Sequence, residues 1–186
     1  MTNDPKTELH KTSVGKMLLK NYHTSLTRKP LQTKIITSAI IATLGEIIAT
    51  NRSQRKRDLR RTLAFLIYGG AITGPVFHWW YGWLERTCKN IKNENRKVVA
   101  KVLLDRLLIT PPFLVLTLFI LQYLQTLKGK TSWQFVKKNF KQSLTANWKV
   151  WTIAQIVNFK YISPEYRVLF GNLVALWWNI YLSKRQ

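Results

Sequence analysis

Charge is absent from three long stretches of this chain, Thr62 to Leu84, Leu107 to Leu127 and Val168 to Ser183, which are 23, 21 and 16 residues long. A helix rises about 1.5 Å per residue, so roughly 17 to 25 mostly apolar residues cross about 30 Å of hydrocarbon. These stretches meet or nearly meet that length. A fourth, Ile35 to Thr50, carries Glu46 as its single charge. The mean hydropathy of −0.12 conceals this pattern, because 30 Lys and Arg and 8 Asp and Glu, a net charge of +22, gather between the apolar stretches. An exported soluble domain is excluded. The expected fold is all-α: an integral membrane bundle of four transmembrane helices near 35–50, 62–84, 107–127 and 168–183, one domain over 1–186.

Glycine, proline and small residues punctuate the spans. Ser38, Ala42, Gly45 and Ala49 in the first, Gly70 and Gly74 in the second, and Gly171 and Ala175 in the last stand at small-xxx-small spacing, which lets helix backbones approach closely in lipid. Pro75 and the pair Pro111 and Pro112 each remove a backbone donor and are expected to kink the second and third spans. Such breaks either shape the bundle or mark a binding site, as in transporters.

Residues 1–34 hold seven basic side chains and two acidic ones, with Val14, Met17, Leu18, Tyr22 and Leu26 on one apolar stripe. This segment reads as a basic amphipathic helix lying on anionic lipid, or as an uncleaved mitochondrial targeting segment, and Pro30 ends it. Between the third and fourth spans, 147–161 has ten uncharged residues, Val150 to Phe159, too few to cross. A short interfacial helix is expected there. At 100° per residue Trp148, Trp151, Gln155 and Asn158 share one polar and aromatic face. Trp133, Trp148, Trp151, Trp177 and Trp178 lie towards the expected span ends, where indole suits the headgroup level.

Four spans put both termini on one side, with 16 basic residues there and 14 on the other, so charge does not orient the protein. Positive charge at both ends points to anionic lipid, cardiolipin among them, or to acidic protein neighbours. It forms no continuous basic face, so nucleic acid is not the expected partner. Lone Cys88 and scattered His10, His23 and His78 offer no metal or thiol set, and no nucleophile or phosphate-loop motif is present. Neither catalysis nor a cofactor is expected. Cys88, in a basic loop, is either a sensitised thiol or an inert one. Ionisable residues within spans are costly and mark either a polar pathway or a buried pair that pins helix register; here they are Glu46, His78, Asp105 and Arg106.

Read together, the motifs resemble the Mpv-17/peroxisomal membrane protein of 22 kDa family of four-span organelle proteins. The likeness covers nearly the whole chain. It rests on Gly74-Pro75-x-x-His78-x-Trp80-Tyr81-x-x-Leu84 and on Asn147-Trp148-x-x-Trp151-x-x-x-Gln155-x-x-Asn158-Phe159. Leu44-Gly45-Glu46, Asp58-x-Arg60-Arg61, Lys101-x-x-x-Asp105, Tyr166-Arg167 and Trp178-Asn179-x-x-Leu182-Ser183 accompany these strings. Departures from the family pattern are Glu46 for Asp, Arg106 for Gln, Thr152 for Pro, and a proline displaced from Ser163 to Pro164. The resemblance implies a non-enzymatic multi-pass protein of the mitochondrial inner membrane, or of the peroxisomal membrane, acting as a small-solute or ion channel or in membrane homeostasis. The alternative is an accessory subunit of a large inner-membrane assembly. The C-terminus, Ser183-Lys184-Arg185-Gln186, is not a peroxisomal matrix address.

Overall fold

The computed structural model of the chain describes residues 16, 17, 20–54, 56 and 58–183, and every regular element among them is helical. Helix α1 covers 20–28 and buries Leu26, while Met17 is exposed; Val14 and Leu18 of the expected stripe lie outside the described residues. Helix α2 is Pro30–Arg52, its proline at the first turn where a missing N–H costs nothing. Helix α3 is one rod in three pieces: Leu59–Ile67, a π-helical turn Tyr68–Thr73, and Gly74–Thr87. Helix α4 repeats the device with Glu94–Leu104, a π turn Asp105–Ile109, and Thr110–Thr126. Helix α5 is Gly129–Tyr161 and α6 is Arg167–Ser183.

The starts and stops follow local chemistry. The Asp58 carboxylate accepts the Arg60 N–H at 2.9 Å and caps α3, and the Asn93 amide oxygen accepts the Arg96 N–H at 3.0 Å and caps α4. Leu127, at φ 55°, closes α4 in the left-handed region. The three prolines at risk of breaking a rod, Pro75, Pro111 and Pro112, sit just after a π turn. A π turn carries one extra residue and hands the next α segment a fresh first turn, where proline's lost donor and fixed φ are tolerated. Thr110 reinforces the second turn by donating its hydroxyl to the Asp105 carbonyl at 2.8 Å.

One expectation is corrected. The short helix at 147–161 is the second half of α5, a rod of 33 residues and roughly 50 Å. Nothing between Gly129 and Pro164 can stop a helix, because the stretch holds no further glycine or proline and its lysines and glutamines are good helix formers. Charge made 128–149 look like a loop, and Trp148 stands mid-rod rather than at an end.

Long-range contacts fix the rod directions. Tyr68 meets Thr117 at 2.8 Å and Lys101 meets Glu85 at 2.6 Å, so α3 and α4 are antiparallel. The Phe119 and Trp133 rings lie 6.4 Å apart and Gln155 reaches Asp105, so α4 and α5 are antiparallel. Helix α6 runs parallel to α2, with Asn172 donating to the Ser38 hydroxyl at 2.7 Å and His23 beside Tyr166 at the common end. Five rods therefore alternate in direction along the chain.

The burial pattern is inside out. Ile36, Ile40 and Leu44 on α2, Leu63, Leu66 and Ile67 on α3, and Leu103, Leu107 and Leu108 on α4 are exposed. Lys34, Glu46, Lys101, Asp105, Arg106 and Arg167 are buried. A protein in water reverses this arrangement. By length and composition, Pro30–Arg52 and Glu94–Thr126 are long and apolar enough to cross a membrane. The apolar core proper is small: Tyr81, Leu84, Val102, Phe159 and Val168, where α3, α4, α5 and α6 meet.

Candidate functional site: buried polar rungs and an exposed basic face

The four ionisable residues singled out from sequence do not converge. Glu46, 3% exposed, takes hydrogen bonds from Thr50 at 2.6 Å and Thr62 at 3.0 Å, and its carboxylate lies 3.2 Å from the Arg61 guanidinium. This rung joins α2 to α3 near their connecting loop. Towards the other end of α2, the Lys34 ammonium lies 3.3 Å from the His78 ring. Asp105 and Arg106 belong to a third group.

Asp105 is fully buried, at 0% exposure. Its carboxylate accepts the Trp80 indole N–H at 2.8 Å and the Gln155 amide at 3.3 Å, and pairs with the Arg106 guanidinium. Arg106 also donates to the Asn147 side chain at 3.0 Å. Gln155 and Asn158 both donate to the Tyr81 hydroxyl, at 3.1 and 3.4 Å, and Asn158 donates to the Gln155 carbonyl at 2.9 Å. The expected polar face of α5 thus divides: Gln155 and Asn158 enter the network, Trp151 is half-buried, and Trp148 is exposed.

A fourth rung escaped sequence reading. Glu85 accepts from Lys101 at 2.6 Å and pairs with Arg167, which also donates to the Ile162 carbonyl at 3.1 Å and lies over the Phe159 ring. The signal was present as paired spacings. Tyr81 and Glu85 stand four apart on α3, and Lys101 and Asp105 stand four apart on α4. On antiparallel rods those spacings coincide, and each rung aligns the other. Cys88, beside this rung, is buried, and burial pushes its thiol pKa up, so it is not a sensitised thiolate.

At Gly70 and Gly74, where glycine was expected to permit close approach, it does. A Cβ on Gly74 would sit 2.9 Å from the Ile35 Cα, and one on Gly70 3.2 Å from the Ala39 Cβ. Gly69, not singled out, is tightest: a Cβ there would lie 2.5 Å from the Ser38 carbonyl oxygen and 2.7 Å from the Ala42 Cβ. The π turn shifts the register so that adjacent glycines both face α2. Gly171 has room, its nearest neighbour being the Tyr81 hydroxyl at 3.8 Å.

The outside carries one polar exception. Along the first two thirds of α5, Gln134, Lys137, Lys138, Lys141, Gln142, Thr145 and Lys149 are exposed, and α5 contains no acidic residue. The rod beside it, Thr110–Thr126 of α4, is uncharged and presents Leu116 outwards.

The Mpv17 / PMP22 family model matches residues 123–183. The chain is 34% identical over 166 residues to Protein SYM1 of Gibberella zeae, covering 87% of this chain and 93% of that one. It is 36% identical over 174 residues to Peroxisomal membrane protein 2 of Bos taurus, covering 89% and 87%. Against Mitochondrial inner membrane protein Mpv17 of Xenopus laevis the identity is 30% over 171 residues, covering 89% and 95%. No solved structure matches the chain. With relatives of this similarity spanning nearly their full lengths, and with an apolar exterior around a polar interior, the chain is a membrane protein belonging to the Mpv17/PMP22 family.

Proposed function

We propose that this protein forms a passage for small solutes, anions foremost, in the mitochondrial inner membrane, and that the passage runs along the basic face of α5 rather than through the middle of the bundle. The carrying observation is the exposed stripe Lys137, Lys138, Lys141 and Lys149 beside the lipid-facing part of α4. A lysine facing lipid at the bilayer centre costs about 3 kcal/mol and less towards the interface, so Lys141 and Lys149 carry most of the cost, a few kcal/mol together. A centred rod of about 50 Å overhangs roughly 30 Å of hydrocarbon by about 10 Å at each end, which puts Lys141 and Lys149 about 8 and 10 Å inside it and leaves Lys137 and Lys138 within reach of the interface. Water covers them at lower cost, and a neighbouring chain closes the wetted face on its open side. Glu46, His78, Asp105 and Arg106, each engaged with partners inside the bundle, hold helix register in this reading and assign no catalytic step. The basic amphipathic N-terminal segment and the likeness to the Mpv17 protein of Xenopus laevis support the mitochondrial assignment; the likeness to the bovine protein keeps the peroxisomal membrane as the other compartment.

A second reading, an accessory subunit whose α5 face seats an acidic neighbour and whose ends hold cardiolipin, is favoured by the mutual pairing of the buried charges. Planar-bilayer recording of the purified protein separates the two. The channel reading expects conductance with anion preference, and Lys138→Glu with Lys141→Glu shifts the reversal potential towards cations. Silent bilayers from folded protein, with an acidic partner co-purifying, would replace it by the accessory reading.

A further inference from the structure

The first part of α4, Glu94–Leu104, and the C-terminal part of α5 leave a surface groove of about 320 Å³. Its walls change character along its length. Asn95 and Lys160 stand at the end nearest the loop joining α3 and α4, and Val99, Val102, Leu103 and Ile156 continue it towards the middle of the bundle. Val99, Leu103 and Ile156 are exposed, Val99 at 56%. The Lys160 ammonium lies 5.4 Å from the Tyr161 ring and is in no ion pair among the described residues. Nearby Lys92 and Arg96 are exposed; of the acids at that end, Glu94 is paired with Lys97 at 2.6 Å, Glu85 with Lys101 and Arg167, and half-buried Glu165 acts on Lys34. Cationic at its mouth and apolar inward, the groove matches an amphiphile with an anionic head.

We propose that this groove is a binding site for one anionic glycerophospholipid, with its phosphate at Lys160 and Asn95 and an acyl chain along Val99, Leu103 and Ile156. General attraction of a basic protein for anionic lipid spreads over all its cations; this site is local, because Lys160, in no ion pair among the described residues, lines a groove whose other walls, Asn95 apart, are apolar. It stands whether or not the chain conducts. Native mass spectrometry of the full-length protein in mild detergent, titrated with dioleoyl phosphatidylglycerol and phosphatidylcholine, tests it. The wild type retains one phosphatidylglycerol in preference to phosphatidylcholine, and millimolar glycerol 3-phosphate does not displace it. Lys160→Glu weakens that retention about tenfold, as expected for reversing a charge at the headgroup. Val99→Trp, which fills the apolar part while leaving the cations, weakens it as well. Lys128→Glu, at the opposite end of the bundle, leaves it unchanged. Equal loss in Lys128→Glu and Lys160→Glu, no loss in either groove variant, or displacement by glycerol 3-phosphate would each overturn the site.

Discussion

Asp105 shows how single residues hold this bundle. It has no contact with water, yet Trp80, Gln155 and Arg106 satisfy its carboxylate, and Arg106 in turn reaches Asn147. Arg106 adds a cation inside the bundle, and the structure absorbs it by pairing it locally with Asp105. Asp105→Asn leaves that guanidinium, 8% exposed, without its counter-charge, and removing one partner of a buried pair costs about 3–5 kcal/mol. The melting temperature in detergent is expected to fall clearly, and adding Arg106→Gln to the same variant recovers much of the loss. An Asp105→Asn protein that melts with the wild type would contradict this account. The ionisable residues themselves were legible in the sequence, since charge inside an apolar stretch stands out. Their partners were not: Glu46 meets Arg61 across a turn and Asp105 meets Gln155 from 50 positions away, and both depend on how rods register, which no local pattern states.

Within the elements, small residues and prolines act together. The π turn at Tyr68–Thr73 brings Gly69, Gly70 and Gly74 all against α2, where Ser38, Ile35 and Ala42 leave no room for a side chain. Gly74→Leu and Gly69→Leu must therefore push rods apart, at roughly 1–3 kcal/mol or more, while Leu66→Ala, at an exposed site, stays within about 0.5 kcal/mol. Folding yield and thermal melting in detergent compare them directly; equal losses in all three would mean that this face is not a contact. Small-xxx-small spacing made Gly70 and Gly74 visible in the sequence. Gly69 was hidden because the spacing rule assumes an unbroken α-helix, and the extra residue of a π turn changes which positions face inwards. The same device in α4 puts Asp105 at the head of its π turn, so in both rods the proline and the local widening are one feature.

At the scale of the whole molecule, the alternation of five rods decides topology. Four spans would leave the start of α2 and the end of α6 on one side, whereas α5 runs the length of the bundle and α6 runs parallel to α2, so α2 begins and α6 ends at opposite ends of the bundle. Membrane-impermeant labelling of single cysteines at positions 128 and 163, the two ends of α5, in a Cys88→Ala background, is expected to place them on opposite faces; labelling from the same face would restore an even count. The apolar rods α2, α3, α4 and α6 were legible as charge-free stretches. Helix α5 was not, because a rod with lysines along one face has neither the apolar run of a span nor the breakers of a loop. Its environment is the central claim, and paired reactivity in the membrane measures it most directly. In reconstituted vesicles lacking Cys88, the Lys141→Cys variant and the Leu116→Cys variant place thiols on neighbouring rods, one on the basic face of α5 and one on the apolar face of α4. The account predicts that a membrane-impermeant thiol reagent modifies the first and not the second. Protection of both, with α5 buried in lipid or protein, or modification of both, with α4 outside the bilayer, would contradict it.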